Sequence, residues 1–167
     1  DPQSRLATEA ALRFFARLAV GVFVADQATK WLITRRIVLH ESITVIPGFF
    51  RLTHVLNRGA AFGLLSDSEW NVAILILFSL VALGVVTALL WRNSHRVSST
   101  GFGLALILGG ALGNLWDRLV DGHVVDFLDF HLGGYHWPAF NVADSAIVIG
   151  ALLLVAEILF SKSPTGA

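Results

Sequence analysis

Residues 70–91, WNVAILILFSLVALGVVTALLW, form an apolar run that contains no charged side chain. A transmembrane α-helix needs about 20 mostly apolar residues to cross the roughly 30 Å hydrocarbon core of a bilayer. The run has that length, and it carries a tryptophan at each end, where indole rings favour the headgroup level. We therefore predict that this segment spans a membrane.

The composition of the whole chain agrees with a membrane protein. Of its 167 residues, 55% are hydrophobic and 14% are charged, and the mean hydropathy is +0.70. Soluble domains carry about 25% charged residues. The formal net charge is zero, so the basic excess of a nucleic-acid-binding protein is missing. Without cysteine, the chain has neither disulfides nor a cysteine nucleophile.

Three further apolar runs, at about 14–33, 101–120 and 142–160, are long enough to cross a bilayer. The predicted fold is an all-α polytopic membrane protein with four transmembrane helices, forming a single domain over residues 14–161. The polar residues 1–13 are expected to be a disordered tail or a cloning remnant, and residues 162–167 a C-terminal tail.

The distribution of charges predicts an orientation. The connection 92–100 contains two arginines and no acid, whereas residues 121–141 contain three acids and neither Lys nor Arg. The positive-inside rule places 92–100 and both termini in the cytoplasm. On the other side, segment 34–69 contains ITVIPGFFRLTHVL, whose β-branched alternation predicts a small amphipathic sheet or hairpin on the outer surface of the membrane. Residues 121–141 are expected to form a lid-like loop.

The third run carries small residues every fourth position, at Gly101, Ala105, Gly109 and Gly113. Such a stripe lets helix backbones approach closely in lipid, so we predict a packing face. The next position in the stripe is Asp117, which therefore points into the helix bundle.

Two polar groups lie near the predicted outer ends of helices. Asp26 and Lys30 are four residues apart, which allows either a helical ion pair or a role facing a substrate. Asn114, Asp117 and Arg118 share one helix face, where Arg118 either anchors an anionic headgroup or pairs with Asp117. Charged groups at membrane depth are costly and are retained mainly for function or pairing.

Asp126 and Asp144 are the candidates for chemistry. Asn141 is a good N-cap, which places Asp144 in the first turn of the fourth helix, where the helix dipole favours a carboxylate. Asp126 lies between valines and a phenylalanine. Two carboxylates that meet at low dielectric share one proton, and such a pair activates water in aspartic proteases. Spacing alone leaves open whether the two meet.

Five segments in this order resemble the lipoprotein signal peptidase (signal peptidase II) family: DQATK at 26–30, NRGAAFG at 57–63, GGALGNLWDR at 109–118, GHVVDF at 122–127 and FNVADSAI at 140–147. The resemblance implies a bacterial inner-membrane aspartic endopeptidase that cuts prolipoproteins before a diacylglyceryl-modified cysteine. It also implies inhibition by globomycin-type compounds, contact with membrane lipids, and no cofactor or metal.

The resemblance implies roles for particular residues as well. The family's catalytic aspartates match Asp126 and Asp144. Its substrate-groove positions match Asp26, Lys30, Asn57, Gly110, Asn114, Arg118 and Asn141.

Two other classes of protein fit the sequence less well. A metal-dependent protease could use His123, Asp126, Asp129, His131 and His136 as ligands, but H-E-x-x-H is missing and Asp144 would have no role. A transporter would carry charges near the bilayer midplane, whereas here they gather towards one face.

Overall fold

The computed structural model describes residues 1–59 and 70–160. In chain order its elements are α1 (Pro2–Arg36), β1 (Ser42–Ile46), β2 (Phe50–Asn57), α2 (Trp70–Arg92), α3 (Ser99–Val120), β3 (Val124–Leu132), β4 (Tyr135–His136) and α4 (Val142–Phe160).

Three helices in the described part of the chain are long and apolar enough to cross a membrane: α2, α3 and α4, with mean hydropathies of 2.8, 1.2 and 2.2. Their bounds lie within two residues of those predicted from the apolar runs. The 35-residue helix α1 is also long enough, but Arg17, Asp26 and Lys30 interrupt its apolar character. The side chains of α2 are largely exposed, as expected for a surface covered by lipid.

The expectation of a disordered tail over residues 1–13 is corrected by the structure, because α1 begins at Pro2. The side chain of Asp1 caps this helix by accepting a hydrogen bond from the backbone N–H of Gln3 at 3.1 Å. Pro2 then occupies the first turn, where its missing N–H costs nothing. Further along, Ala11 and Phe15 are buried in an apolar cluster with Leu104 of α3. The predicted C-terminal tail, 162–167, lies outside the described residues.

Helix α3 is the central helix, and it contacts each of the other three. The predicted packing stripe is confirmed on its α1 side: a Cβ at Gly109 would lie 2.5 Å from the carbonyl oxygen of Ala19. A second set of glycines serves α4. A Cβ at Gly110 would lie 2.4 Å from the carbonyl oxygen of Ala143. Two faces of α3 therefore depend on backbone-to-backbone approach.

The strands form one antiparallel series in the order β1-β2-β3-β4. Strands β1 and β2 confirm the small sheet predicted within 34–69. The lid-like loop predicted over 121–141 is wrong in part, since residues 124–132 form β3 and pair with β2 along most of its length. The Val and Phe residues of β3 are types that favour strands, and tertiary pairing with β2 decides the conformation. Asp126 therefore lies on a strand, opposite Val55.

A methyl group at Gly109 is expected to force α1 and α3 apart, because its nearest neighbour is backbone rather than a flexible side chain. We predict that Gly109→Ala lowers the free energy of unfolding by about 1–3 kcal/mol, the usual cost of overpacking. The matched control is Gly21→Ala, where a Cβ meets nothing within 4 Å. Thermal unfolding in detergent measures both, and equal melting temperatures for the two variants would contradict the close-approach argument.

Candidate active site

A buried ion cluster joins α1 to α3. The ammonium of Lys30 lies 2.7 Å from Oδ2 of Asp26 and 2.6 Å from Oδ2 of Asp117. All three side chains are less than a tenth exposed. Of the two roles left open for Asp26 and Lys30, the structure shows the helical ion pair, and Asp117 pairs with Lys30 and not with Arg118.

The cluster extends to α4 through backbone and amide groups. Oδ1 of Asp26 accepts a hydrogen bond from the backbone N–H of Ala143 at 2.9 Å. Lys30 also donates to Oδ1 of Asn114 at 3.0 Å. The amide of Asn114 in turn donates to Oδ1 of Asp144 at 2.7 Å. The position of Asp144 is thus linked to Lys30 through one asparagine.

Asn141 stands between the two candidate catalytic carboxylates and is fully buried. Its side-chain amide donates to Oδ1 of Asp126 at 2.8 Å. Its side-chain oxygen accepts from the backbone N–H of Asp144 at 2.9 Å, which confirms it as the N-cap of α4. Its own backbone N–H donates to Oδ2 of Asp144 at 3.3 Å. One residue therefore holds both aspartates.

Asp126 is 3% exposed, and its second oxygen accepts a hydrogen bond from the side-chain amide of Asn57 at 3.0 Å. Burial raises the pKa of Asp126 from 3.8 to about 6, and the negative charge of Asp144 contributes in the same direction. The amides of Asn57 and Asn141 act against this increase without cancelling it. A carboxyl group with such a pKa can hold a proton near neutral pH, as a general acid must.

The other substrate-groove positions that the sequence resemblance implies, Gly110, Arg118 and Asn57, lie around this centre. Gly110 packs against the backbone of Ala143, so its absence of a side chain lets α4 approach α3. Arg118 donates to the carbonyl oxygen of Asn114 at 3.4 Å. Its Nε is buried and has no hydrogen-bond partner among the residues that the structure describes. Asn57 begins a tight turn, in which its side-chain oxygen accepts from the backbone N–H of Gly59 at 2.8 Å.

Two contributors to the site were missed in the sequence. Gln27 donates to Oδ1 of Asp117 at 2.8 Å, and so supports the ion cluster. The backbone N–H of Ala143, which bonds Asp26, carries no side-chain signal at all. Gln27 lies in DQATK, directly after Asp26 and three residues before Lys30, and this position in a run predicted to cross the membrane was the available clue.

The structure does not bring together the five residues that a metal-dependent protease could use as ligands. Only Asp129, His131 and His136 have potential ligand atoms close together within the described residues. Asp126 is held instead by Asn57 and Asn141. The five residues considered for a catalytic metal thus do not form one centre.

Fold and site together define a class of protein: a helical membrane protein in which one buried asparagine holds two carboxylates at the start of an apolar helix. Comparison with known proteins narrows the class to a family. The family model for signal peptidase (SPase) II matches residues 18–160. The chain belongs to the signal peptidase II family and is a bacterial membrane peptidase.

Individual relatives agree with the family model. The lipoprotein signal peptidase of Desulforapulum autotrophicum is 53% identical over 151 residues, covering 86% of this chain and 90% of the relative. That of Geobacter sulfurreducens is 48% identical over 147 residues, covering 88% and 92%. A bacterial membrane enzyme solved by the in meso method at 2.3 Å superposes with a TM-score of 0.79 at 31% identity, covering 92% of this chain and 94% of that one.

Removing the central cation should destabilise the protein strongly. Lys30→Met leaves Asp26 and Asp117 buried without their counter-ion, and breaking a buried pair from one side costs about 3–5 kcal/mol. The matched control is Glu9→Gln, which breaks the exposed Glu9–Arg13 pair and should cost below about 1 kcal/mol. Thermal unfolding of both variants checks the contrast. A Lys30→Met protein as stable as the parent would show that the cluster does not stabilise the fold.

The raised pKa of Asp126 predicts a pH-dependent stability. Because the folded state holds this proton more tightly than the unfolded chain, the free energy of unfolding falls as pH rises from about 4 to 6. The penalty remains above that range, and it is on the order of 3 kcal/mol for a shift of this size. Asp126→Asn lacks the titration, although it alters hydrogen bonds at every pH. We expect the variant's melting temperature to rise relative to the parent's between pH 4 and pH 7. A constant difference would refute the shift.

Proposed function

We propose that this protein is an aspartic endopeptidase that removes the signal peptide from lipid-modified prolipoproteins, cutting before the diacylglyceryl-modified cysteine. Asp126 and Asp144 are the proposed catalytic pair. The observation that carries the proposal is their attachment to a single buried residue, Asn141, which holds one carboxylate by its side chain and the other by its backbone. The names of the relatives, lipoprotein signal peptidases, support the same substrate class.

The two carboxylates have different proposed roles. Asp126, whose pKa burial raises to about 6, holds the shared proton. Asp144 is the proposed general base; it lies in the first turn of α4 and accepts hydrogen bonds from Asn114 and Asn141. Asp144 takes a proton from a water molecule while the water oxygen attacks the scissile carbonyl carbon. Asp126 gives its proton to the carbonyl oxygen, which forms a neutral tetrahedral intermediate.

Collapse of the intermediate reverses the proton movements. The proton that Asp144 took from water passes to the leaving amide nitrogen, and Asp126 recovers a proton from one of the two hydroxyl groups. The C–N bond breaks, and the products are the released signal peptide carboxyl group and the new amino terminus. No metal, cofactor or covalent intermediate is needed for this sequence.

In this proposal, the substrate-groove residues either position the two aspartates or bind the substrate. The ion cluster positions Asp144 through Lys30, Asp26 and Asn114. Gly110 lets α4 lie close enough to α3 for Asn114 to reach Asp144. Asn57 and Asn141 orient Asp126. Arg118 is proposed to contact the substrate, because its buried Nε is a donor without a partner in the described ranges, suited to a carbonyl or headgroup oxygen.

The proposed topology has four transmembrane helices in the bacterial inner membrane, with α1 as the fourth and both termini in the cytoplasm. The dyad then lies at the periplasmic face, under the sheet formed by β1–β4. The acyl chains of the substrate stay in lipid, while the scissile bond reaches the interface where water is available. Globomycin-type inhibitors are proposed to occupy the same groove.

Each proposed catalytic carboxylate can be removed with little change of shape. Asp126→Asn and Asp144→Asn are expected to lower kcat/KM on a diacylglyceryl-modified prolipoprotein by about 10²–10⁴-fold, since an amide supplies neither base nor acid. The matched control is Asp121→Asn, an exposed carboxylate at the end of α3, which should cleave like the parent. Activity should persist in EDTA.

Two results would count against the mechanism. Near-parent cleavage by either Asn variant would remove that aspartate from the reaction. Inhibition by EDTA that added Zn²⁺ reverses would point to metal-dependent hydrolysis. Cleavage of a substrate lacking the diacylglyceryl group at the parent rate would contradict the proposed specificity and leave the dyad untouched.

A further inference from the structure

A second cluster of polar side chains lies further along β3 and has no part in the proposed reaction. Asp129 and His131 are two residues apart on β3, so their side chains share one face of the strand. His136 of β4 lies directly opposite His131. Each of the three side chains offers one potential ligand atom, and these atoms all lie within 4.8 Å of one another.

The polar atoms of this cluster are incompletely satisfied by protein. Nδ1 of His136 is 3.6 Å from Oδ1 of Asp129, which is too long for a hydrogen bond. Nδ1 of His131 is buried and has no hydrogen-bond partner among residues 1–59 and 70–160. A buried nitrogen without a partner costs about 1–3 kcal/mol. The two imidazole rings stack at 5.1 Å with an interplanar angle of 15°, which keeps both on the same side of the sheet.

Arg51 of β2 fixes the orientation of the carboxylate. Its Nε forms an ion pair with Oδ2 of the buried Asp129, and Oδ1 of the same carboxylate lies nearest to His136. Carboxylates that bind metals are commonly held in this way, by a hydrogen bond to the oxygen not used for ligation. The charge of Arg51 opposes a second cation, so the affinity should be lower than in a closed structural zinc site.

We propose that Asp129, His131 and His136 bind one divalent transition-metal ion of the Zn²⁺ type, leaving a fourth position open to water. Zinc at about 2.0–2.2 Å from tetrahedral ligands brings the ligand atoms to within about 3.4 Å of one another. His136 can supply that movement, because its side chain is half-exposed and it lies on a strand of only two residues. A surface cavity of about 450 Å³, lined in part by Asp129, His136 and Trp137, gives the ion access.

The bound ion would tie β4 to β3 without entering the catalytic centre. Asp126 lies three residues earlier on the same strand, roughly 10 Å away at the rise of a β-strand, and is not one of the clustered groups. The ion is therefore a clamp on the strand that carries Asp126. Three ligands with nitrogen and oxygen donors suit zinc and its neighbours rather than Mg²⁺ or Ca²⁺.

Direct binding tests the proposal independently of proteolysis. The detergent-solubilised chain, purified without a polyhistidine tag, is titrated with Zn²⁺ against a chromophoric zinc indicator, and with Co²⁺ followed by its visible absorption. We expect one equivalent to bind, and at least about a tenfold loss of affinity in His131→Gln and in His136→Gln. The matched control is His123→Gln, a histidine on the same segment but outside the cluster, which should bind like the parent.

A stability measurement separates ligation from misfolding. Zinc should raise the melting temperature of the parent and of His123→Gln but not that of His136→Gln, whose exposed side chain is not needed for folding. Absence of stoichiometric binding by the parent overturns the proposal, as does unchanged affinity in His136→Gln. Neither result bears on the aspartate pair, because no peptide is cleaved in this experiment.

Discussion

The ammonium group of Lys30 is the contact on which the rest of the site depends. It lies on α1, pairs with Asp26 of the same helix and Asp117 of α3, and bonds Asn114. Through Asp26 it also reaches the first turn of α4. In a low-dielectric interior such a charge is tolerated only when its counter-ions and remaining donors are satisfied in good geometry. Three helices must therefore converge at one level.

Because the three helices converge at this level, α3 requires glycine at the positions where the other two helices approach it. A Cβ at Gly113 would lie 2.5 Å from Oδ2 of Asp26, the oxygen that Lys30 contacts. Any larger residue would displace the carboxylate from its cation. Gly109 lets the backbone of α1 approach α3 closely, and the neighbouring Gly110 does the same for the backbone of α4. Packing and electrostatics thus impose one requirement, because the ion cluster can form only where the backbones approach closely.

The sequence predicted those parts of the fold that single segments decide. Helices α2 to α4 were placed to within two residues, since a bilayer requires long apolar runs and Asn141 marks the start of α4. The first turns of α1 were missed because polar residues 1–13 carry no apolar run, and capping by Asp1 is a local contact. Strand β3 was missed because its conformation depends on pairing with β2, which is distant in sequence.

The candidate site shows the same division. Helical spacing allowed an ion pair between Asp26 and Lys30 but left a substrate-facing role open, and the choice of Asp117 as the second counter-ion depends on how α1 packs on α3. The partnership of Asp126 with Asn57 depends on the register of β2 and β3, which a bulge shifts between Leu52 and Val55. Residue chemistry could nominate the two aspartates, and only the three-dimensional arrangement brings both to Asn141.

The carboxylates of the buried centre are held in two different ways. Asp26 and Asp117 contact the ammonium of Lys30 directly, and this cation fixes their orientation. Side-chain contacts to Asp126 and Asp144 come instead from the uncharged amides of Asn57, Asn114 and Asn141. An uncharged amide orients a carboxylate by a hydrogen bond without placing a counter-ion beside it. Lys30 is linked to Asp144 through Asn114, which accepts a hydrogen bond from Lys30 and donates one to Asp144, so the cation positions this carboxylate indirectly.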